Sequence, residues 1–417
     1  MKRIFLLLLP LLLLPVFFFI TDQSGWGTNE HGTCYLDRNG NPVSGWQEID
    51  GVSYYFNSET QALHTGWITQ NNVSRYLSEG RPVSGWIALE EGTFYLKEDG
   101  SIHTGWLMEA EQWYYLNAQG NPVSGWTETE DGQFYFDESG KRISGLVQID
   151  GTVYCLGYDG TPHTGWYEQD GKHYYANADS TLYTGWLEED GNRYYLTEDG
   201  SAAVGKRIID GETYFFSSTG LHFIMVNPWN PLPENYEPEL VLLEEHSIDP
   251  ACVADLKQML NDCQTAGYTP KILSVYRSIH SQTLLFDQGV RKRMADGNTS
   301  LDAYDMTRQS VAIPGTSEHH LGLALDIVDA EYRELDETQE NTPTQQWLME
   351  NSWKYGFIVR YPAGTTDITG ITYEPWHYRY VGLEMAQEIH ELGITLEEYI
   401  DMLTGDGTTC GGQRANQ

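Results

Sequence analysis

The stretch GWLMEAEQWYYLNAQGNPVSGW, residues 105–126, begins and ends on Gly-Trp and holds an aromatic run and an Ala-Gln-Gly turn between them. The Gly-Trp pair recurs at Trp26, Trp46, Trp67, Trp86, Trp106, Trp126, Trp166 and Trp186, a beat of twenty residues give or take one. Gly145-Leu146 and Gly205-Lys206 keep the register where the tryptophan is missing. An aromatic pair follows in each unit, as at Tyr54-Tyr55, Phe94-Tyr95, Tyr174-Tyr175 and Tyr194-Tyr195, and then a turn rich in Gly and Asp. Short strands rich in Tyr, Trp and Thr between such turns predict one β-hairpin per unit. A lone hairpin cannot bury its face, so successive hairpins are expected to stack into a solenoid over residues 25–223.

Beyond residue 223 the beat stops. Residues 224–236 carry three prolines and read as a Pro-rich linker. The pattern then changes class, with helical runs at about 249–266, from about 281, at about 344–355 and at about 383–390, and strands around 271–276, 356–361 and 372–380. Helices and strands without strict alternation predict an α+β domain over 237–404, followed by a flexible tail at 405–417. The expected chain is thus multidomain: an N-terminal all-β hairpin-repeat solenoid, then an α+β domain.

The formal net charge of −36 excludes nucleic acid and an anionic membrane surface as partners, because a phosphate backbone attracts Lys and Arg and repels this chain. Lys2 and Arg3 precede an apolar run at 4–20, so residues 1–20 are expected to be a secretory signal peptide or a retained N-terminal anchor. Membrane contact follows only if that segment stays uncleaved. Five cysteines, Cys34, Cys155, Cys252, Cys263 and Cys410, are odd in number and hold no C-x-x-C pair, which is no disulfide framework. Cys252 and Cys263, eleven apart on an expected helix, stand roughly 16 Å from each other and cannot bridge.

Three segments of the second half carry polar residues that a packed core would not choose: VYRSIHSQ with Arg277 and Gln282, SEHHLGLALDI with Ser317, His319, His320 and Asp326, and YEPWHYRYVG with Glu374 and His377. Two histidines and one carboxylate from segments about fifty residues apart leave a fourth tetrahedral zinc position for water. A further glutamate that is not a ligand can take that water's proton. Pro375 pushes Glu374 out of the α region, so this Glu-x-x-His is extended or looped. If the His319-His320 pair is also extended, its side chains point to opposite faces and one of the two reaches the metal.

The repeats resemble the cell-wall-binding repeats of surface proteins in Gram-positive bacteria, whose best-known members bind choline on teichoic acids in an aromatic cage. The resemblance implies wall binding by the Gly-Trp tryptophans from Trp46 to Trp186 together with Trp113 and Tyr115. It departs at the position seven after each Gly-Trp tryptophan, which is Thr33, Ser53, Gln133 or Arg193 in various units and aromatic only at Trp113. The expected ligand is therefore a wall polymer, glycan or teichoic acid, with choline left open.

The order S-x-H, Asp, then E-x-W-H, with YRS, PGTSEH and GFIVRYP around it, resembles the VanY-like D-Ala-D-Ala carboxypeptidases of the LAS zinc metallopeptidase group over about 227–403. The resemblance implies one zinc ion held by His319, Asp326 and His377, with His320 at a variable position. It further implies Glu374 as general base and later acid, Arg277 for the oxyanion or the peptide carboxylate, and Gln282 and Ser317 lining the substrate pocket. The implied protein is a secreted, extracellular, wall-associated zinc carboxypeptidase of a Gram-positive bacterium that trims the terminal D-alanine from peptidoglycan stem peptides. An L,D-carboxypeptidase acting on tetrapeptide stems shares these motifs, and a non-catalytic wall-binding protein would show a broken ligand set.

Overall fold

The computed structural model describes residues 23–234, 236–405 and 410–412; the expected export segment lies outside them. Each repeat is an antiparallel hairpin. Gly105–Glu109 pairs with Gln112–Leu116, placing Trp106 opposite Tyr115, and Gly45–Ile49 pairs with Val52–Phe56, placing Trp46 opposite Tyr55. Most of the turns hold both central residues at positive φ, as in the type I′ geometry that matches strand twist; those at Glu30-His31, Glu90-Glu91 and Glu130-Asp131 do not. Asp50 and Gly51 supply it at 52° and 78°.

Stacking follows from the aromatic rings. Trp106 packs edge-on against Tyr115 of its own hairpin at 5.2 Å and against Phe134 of the next at 4.8 Å. Trp26 meets Tyr54, and Trp86 meets Tyr114, each at 5.0 Å. Phe56, Leu77, Leu96, Leu116 and Phe136, each ending its hairpin's second strand or one residue short of it, are buried in the line between hairpins. Backbone bonds such as Tyr55 N to Gly80 O at 2.8 Å and Tyr76 N to Gly100 O at 2.9 Å tie one repeat to the next. The five cysteines are all free and buried.

The chain divides into two compact units, Met1–Gln148 with Leu156–Pro162, and Ile149–Cys155 with His163–Gln417. The second unit holds the last repeats together with the α+β half. Its sheet is wholly antiparallel, with β1 (Pro270–Ser274), β2 (Ala324–Asp329), β3 (Phe357–Tyr361) and β4 (Glu374–Tyr380) in the order β1-β2-β4-β3. Every residue of β2 is buried, which is why its sequence is continuously apolar except for its aspartates. Helices α1 (Val253–Thr265), α2 (Ile279–Ala295), α3 (Ser300–Arg308), α4 (Pro343–Asn351), α5 (Leu383–Leu392) and α6 (Leu396–Thr404) surround it. Leu256 and Met259 of α1, Leu348 of α4, and Ile272, Leu325, Phe357 and Tyr378 of the strands form one core.

A second core joins α5 and α6 to the repeats. Met385, Ile389, Leu396, Tyr399 and Ile400 pack with Phe215 of the last hairpin and with Met225. A Cβ on Gly205 would fall 2.6 Å from the Thr404 nitrogen, and Lys206 N donates to Thr404 Oγ1 at 2.8 Å. The missing tryptophan at this beat thus marks where stacking on a further hairpin gives way to docking on α6. Ser218 Oγ adds a bond to Glu388 at 2.8 Å.

One sequence expectation changes here, that of a flexible tail. Within the Pro-rich segment Met225, Val226 and Asn227 are buried, Met225 in the core with α5 and α6 and Asn227 bonded to Glu397. The tail is packed at its described part: Cys410 is buried, and its carbonyl accepts from Asn227 Nδ2 at 2.9 Å.

Phe215→Ala should cost about 3–5 kcal/mol, the usual loss for emptying a buried phenylalanine site, and lower the melting midpoint of the second unit by about 10 °C in calorimetry. A fragment beginning at residue 224 should melt below one beginning at residue 163. Equal midpoints for the two fragments would show that the shared core contributes nothing.

Candidate metal centre

Ser317 leads into a single 3-10 turn, Glu318–Leu321, that ends on Gly322 at a φ of 74°. The histidine pair therefore sits in a turn and not in an extended segment, and the turn itself sends the two rings apart. His319 Nδ1 donates to the Val275 carbonyl at 2.6 Å; a carbonyl only accepts, so Nε2 is the bare nitrogen, and it lies 3.3 Å from Asp326 Oδ2. His320 Nδ1 donates to the Arg277 carbonyl at 2.6 Å and its Nε2 accepts from the Gly315 N–H at 3.1 Å. Both nitrogens of His320 are thus spent on backbone.

The register of the sheet completes the cluster. Asp326 on β2 is the partner of His377 on β4, and Asp326 Oδ1 stands 3.2 Å from His377 Nδ1. One donor atom from each of His319, Asp326 and His377 lies within 4.8 Å of the others, all three residues buried; among the described residues no other such group of His, Cys, Asp and Glu comes together. Of the outer nitrogens, His319 Nδ1 is bonded to the Val275 carbonyl, while His377 Nε2 faces the Glu318 carboxylate at 3.7 Å, an ion-pair distance beyond hydrogen-bond length. Burial opposes charge on His377, yet the Asp326 and Glu318 carboxylates push it up to about 9. Two imidazoles and a carboxylate with oriented outer atoms fit a divalent metal, zinc above all.

Glu374 opens β4, its carboxylate 3.7 Å from His377 Nδ1. Burial pushes it up to about 8, with the His377 and Arg277 charges pulling the other way. Arg277 is fixed by bonds to Gln282 Oε1 at 2.8 Å and Ser274 Oγ at 3.0 Å, and lies 3.6 Å from Asp326. Gln282, pinned in turn to the Ala312 carbonyl at 2.7 Å, acts on Arg277 as well as on the cleft. Arg277, Gln282, Ser317, Tyr361 and Glu374 line one cleft of about 270 Å³ with the cluster at its floor. In the repeats, the Gly-Trp tryptophans pack between hairpins with one face reaching solvent, and Tyr115 donates to Glu130 at 2.7 Å.

Sequence reading missed a buried charge chain behind the cluster. Glu318 meets Arg360 Nε at 2.7 Å and Arg379 Nη1 at 3.1 Å, and Arg360 grips Glu397 of α6 at 2.9 and 2.5 Å. Asn227 Nδ2 donates to Glu397 at 3.0 Å, and Arg379 Nη2 to the Ile224 carbonyl at 2.8 Å. The available signal was an arginine inside each of two apolar strands, FIVRY and HYRYV.

Residues 245–383 match the family model of VanY, D-alanyl-D-alanine carboxypeptidase, and residues 44–59, 104–121 and 184–202 match that of a cell wall binding repeat. A bifunctional D-Ala-D-Ala dipeptidase and D-Ala-D-Ala carboxypeptidase of Enterococcus gallinarum is 33% identical over 190 residues, 43% of this chain and 93% of that protein. The chain belongs to the VanY family. A VanY-family relative from Enterococcus faecalis, a D-alanyl-D-alanine carboxypeptidase, is 41% identical over 180 residues, and the chain spans 65% of its length. The solved structure of VanYB in complex with D-alanine-D-alanine is 41% identical, covers 43% of this chain and 96% of its own, and has a TM-score of 0.40.

His319→Ala should abolish binding of one zinc per chain, measured by metal analysis after dialysis. His320→Ala should keep the metal while losing about 1–3 kcal/mol of stability through its two orphaned backbone partners. Glu318→Gln should weaken zinc about 10–100-fold in competition with a chromophoric chelator. Unchanged zinc affinity in that variant would remove Glu318 from the support of His377.

Proposed function

We propose that this chain is a zinc-dependent carboxypeptidase that removes the terminal D-alanine from peptidoglycan stem peptides and is held at the wall by its repeats. The observation that carries this reading is the convergence of the His319-Asp326-His377 cluster, Glu374 and a fixed Arg277 on one cleft. Zinc bound there lowers the pKa of water towards neutrality and polarises a carbonyl. Glu374, on the same cleft and 3.7 Å from His377, is placed to take the proton of the attacking water as a carboxylate and hand it to the departing amine. Arg277 offers a planar pair of donors to a carboxylate, and a terminal carboxylate is what separates an exopeptidase substrate from an internal peptide bond.

The outer parts of the proposal follow from the same chain. The export segment expected at residues 1–20 takes the protein across the membrane of a Gram-positive cell, and the repeats keep it at the wall. Its partners are stem peptides and a wall polymer.

Release of D-alanine from synthetic pentapeptide and tetrapeptide stems tests the specificity. The pentapeptide should be cleaved, with zinc required; faster release from the tetrapeptide would make the enzyme an L,D-carboxypeptidase. Glu374→Gln should retain fold and zinc while kcat falls by about 10² to 10⁴. Near-normal turnover in that variant would take Glu374 out of the mechanism.

A further inference from the structure

The repeat that opens at Trp106 differs from its neighbours in three ways. In three other repeats the Gly-Trp indole N–H is capped by an acceptor of the following unit: Trp46 donates to Gln70 at 3.0 Å, Trp67 to Glu91 at 3.0 Å and Trp166 to Glu189 at 2.5 Å. At the corresponding place Glu130 instead accepts from Tyr115, and Trp106 Nε1 has no partner. A second indole, Trp113, stands edge-on to Trp106 at 5.9 Å and 89° and is 38% exposed. Finally, the Trp113 face already carries a cation: Arg142 Cζ lies 5.9 Å from its centroid, and Arg142 N is anchored to the Trp113 carbonyl at 2.7 Å. Asp131 and Asp159 complete an open cleft of about 380 Å³.

We propose that this cleft binds a neutral sugar ring of the wall glycan, its apolar face on Trp113 and its hydroxyls divided between Arg142 and the carboxylates of Asp131 and Asp159. The inference deepens the wall-binding reading and rests on it. A quaternary ammonium fits poorly, because the resident guanidinium already takes the aromatic face and repels a second cation, and an ammonium offers no acceptor to Arg142 or Trp106. An anionic polymer fits no better, since two exposed carboxylates and a net charge of −36 oppose it. A polyhydroxyl ring is neutral and brings donors for the aspartates, acceptors for the arginine and a flat apolar face for the indole. Trp106, which also lines the cleft, has a buried Nε1 without an acceptor, and a ring hydroxyl that reaches it supplies the one it lacks.

The test uses the full-length chain with ¹⁵N-labelled indoles, titrated with the N-acetylglucosamine tetramer and separately with choline chloride, while sedimentation with purified walls is measured in parallel. The tetramer should shift the Trp113 and Trp106 indole signals saturably, the Trp106 N–H downfield as it gains an acceptor, and choline should leave both in place. Trp113→Ala and Arg142→Gln should each weaken tetramer binding at least tenfold, with Trp113→Phe keeping most of it. Shifts of these signals by choline, or tetramer affinity unchanged in Arg142→Gln, overturn the assignment. Co-sedimentation with walls but no tetramer shift sinks the sugar site and leaves wall anchoring standing; a tetramer shift without co-sedimentation supports the site and sinks the anchor.

Discussion

The interaction on which the catalytic half depends is the fully buried guanidinium of Arg360 between Glu318 and Glu397. Taking a guanidinium and two carboxylates out of water costs several kcal/mol per ion, and the charges hold one another in place only while all three are present. Desolvation opposes the charged form of Glu318, and Arg360 and Arg379 outweigh it, holding this carboxyl well below the usual range. Glu318 therefore presents a permanent negative charge to the back of His377. The same guanidinium pins α6 to β3 through Glu397, so the metal cluster and the C-terminal helix share one electrostatic support.

That support explains the order of the sheet. The His319, Asp326 and His377 side chains of the cluster come from adjacent antiparallel strands, β2 and β4, and from the turn that enters β2, so their spacing is set by strand register and not by side-chain reach. Arg277, at the exit of β1, points its fork at the same cleft because β1 is the other neighbour of β2. A site built on paired strands, with His319 Nδ1 bonded to the Val275 carbonyl, has its side chains placed by the backbone itself.

Much of this was legible in the sequence, and the failures have physical causes. The Gly-Trp beat predicted the hairpins because a period of twenty repeats its own evidence, and the spacing of His319, Asp326, Glu374 and His377 was readable through family motif. The histidine pair sits in a 3-10 turn of four residues, which leaves no periodic trace in the sequence, so the direction of each ring was open until the fold was known. Helix α3 was missed since its sequence, SLDAYDMTR, buries only Ala303 and Thr307 and so lacks an apolar stripe; the Thr299 cap was its one signal. Helix α6 did announce itself through the Thr395–Glu398 capping box, which the reading passed over. Glu318 and Glu397 were invisible because an ion pair between residues far apart in sequence has no local pattern; only the arginines in FIVRY and HYRYV hinted that buried anions must exist.

The shared core at Phe215 and Met225 also bears on how such a protein can be rearranged over evolutionary time. Repeats that bury their faces only against like neighbours can be added or deleted in whole multiples without disturbing what lies downstream. The hairpin at Gly205–Phe216 has given up that freedom: its glycine touches α6, its phenylalanine fills the peptidase core, and the segment after it feeds Asn227 to Glu397. A duplication or exchange of wall-binding repeats is therefore silent only upstream of it, and the inheritable catalytic cassette begins inside the repeat array, with one hairpin that looks like an anchor and belongs to the enzyme.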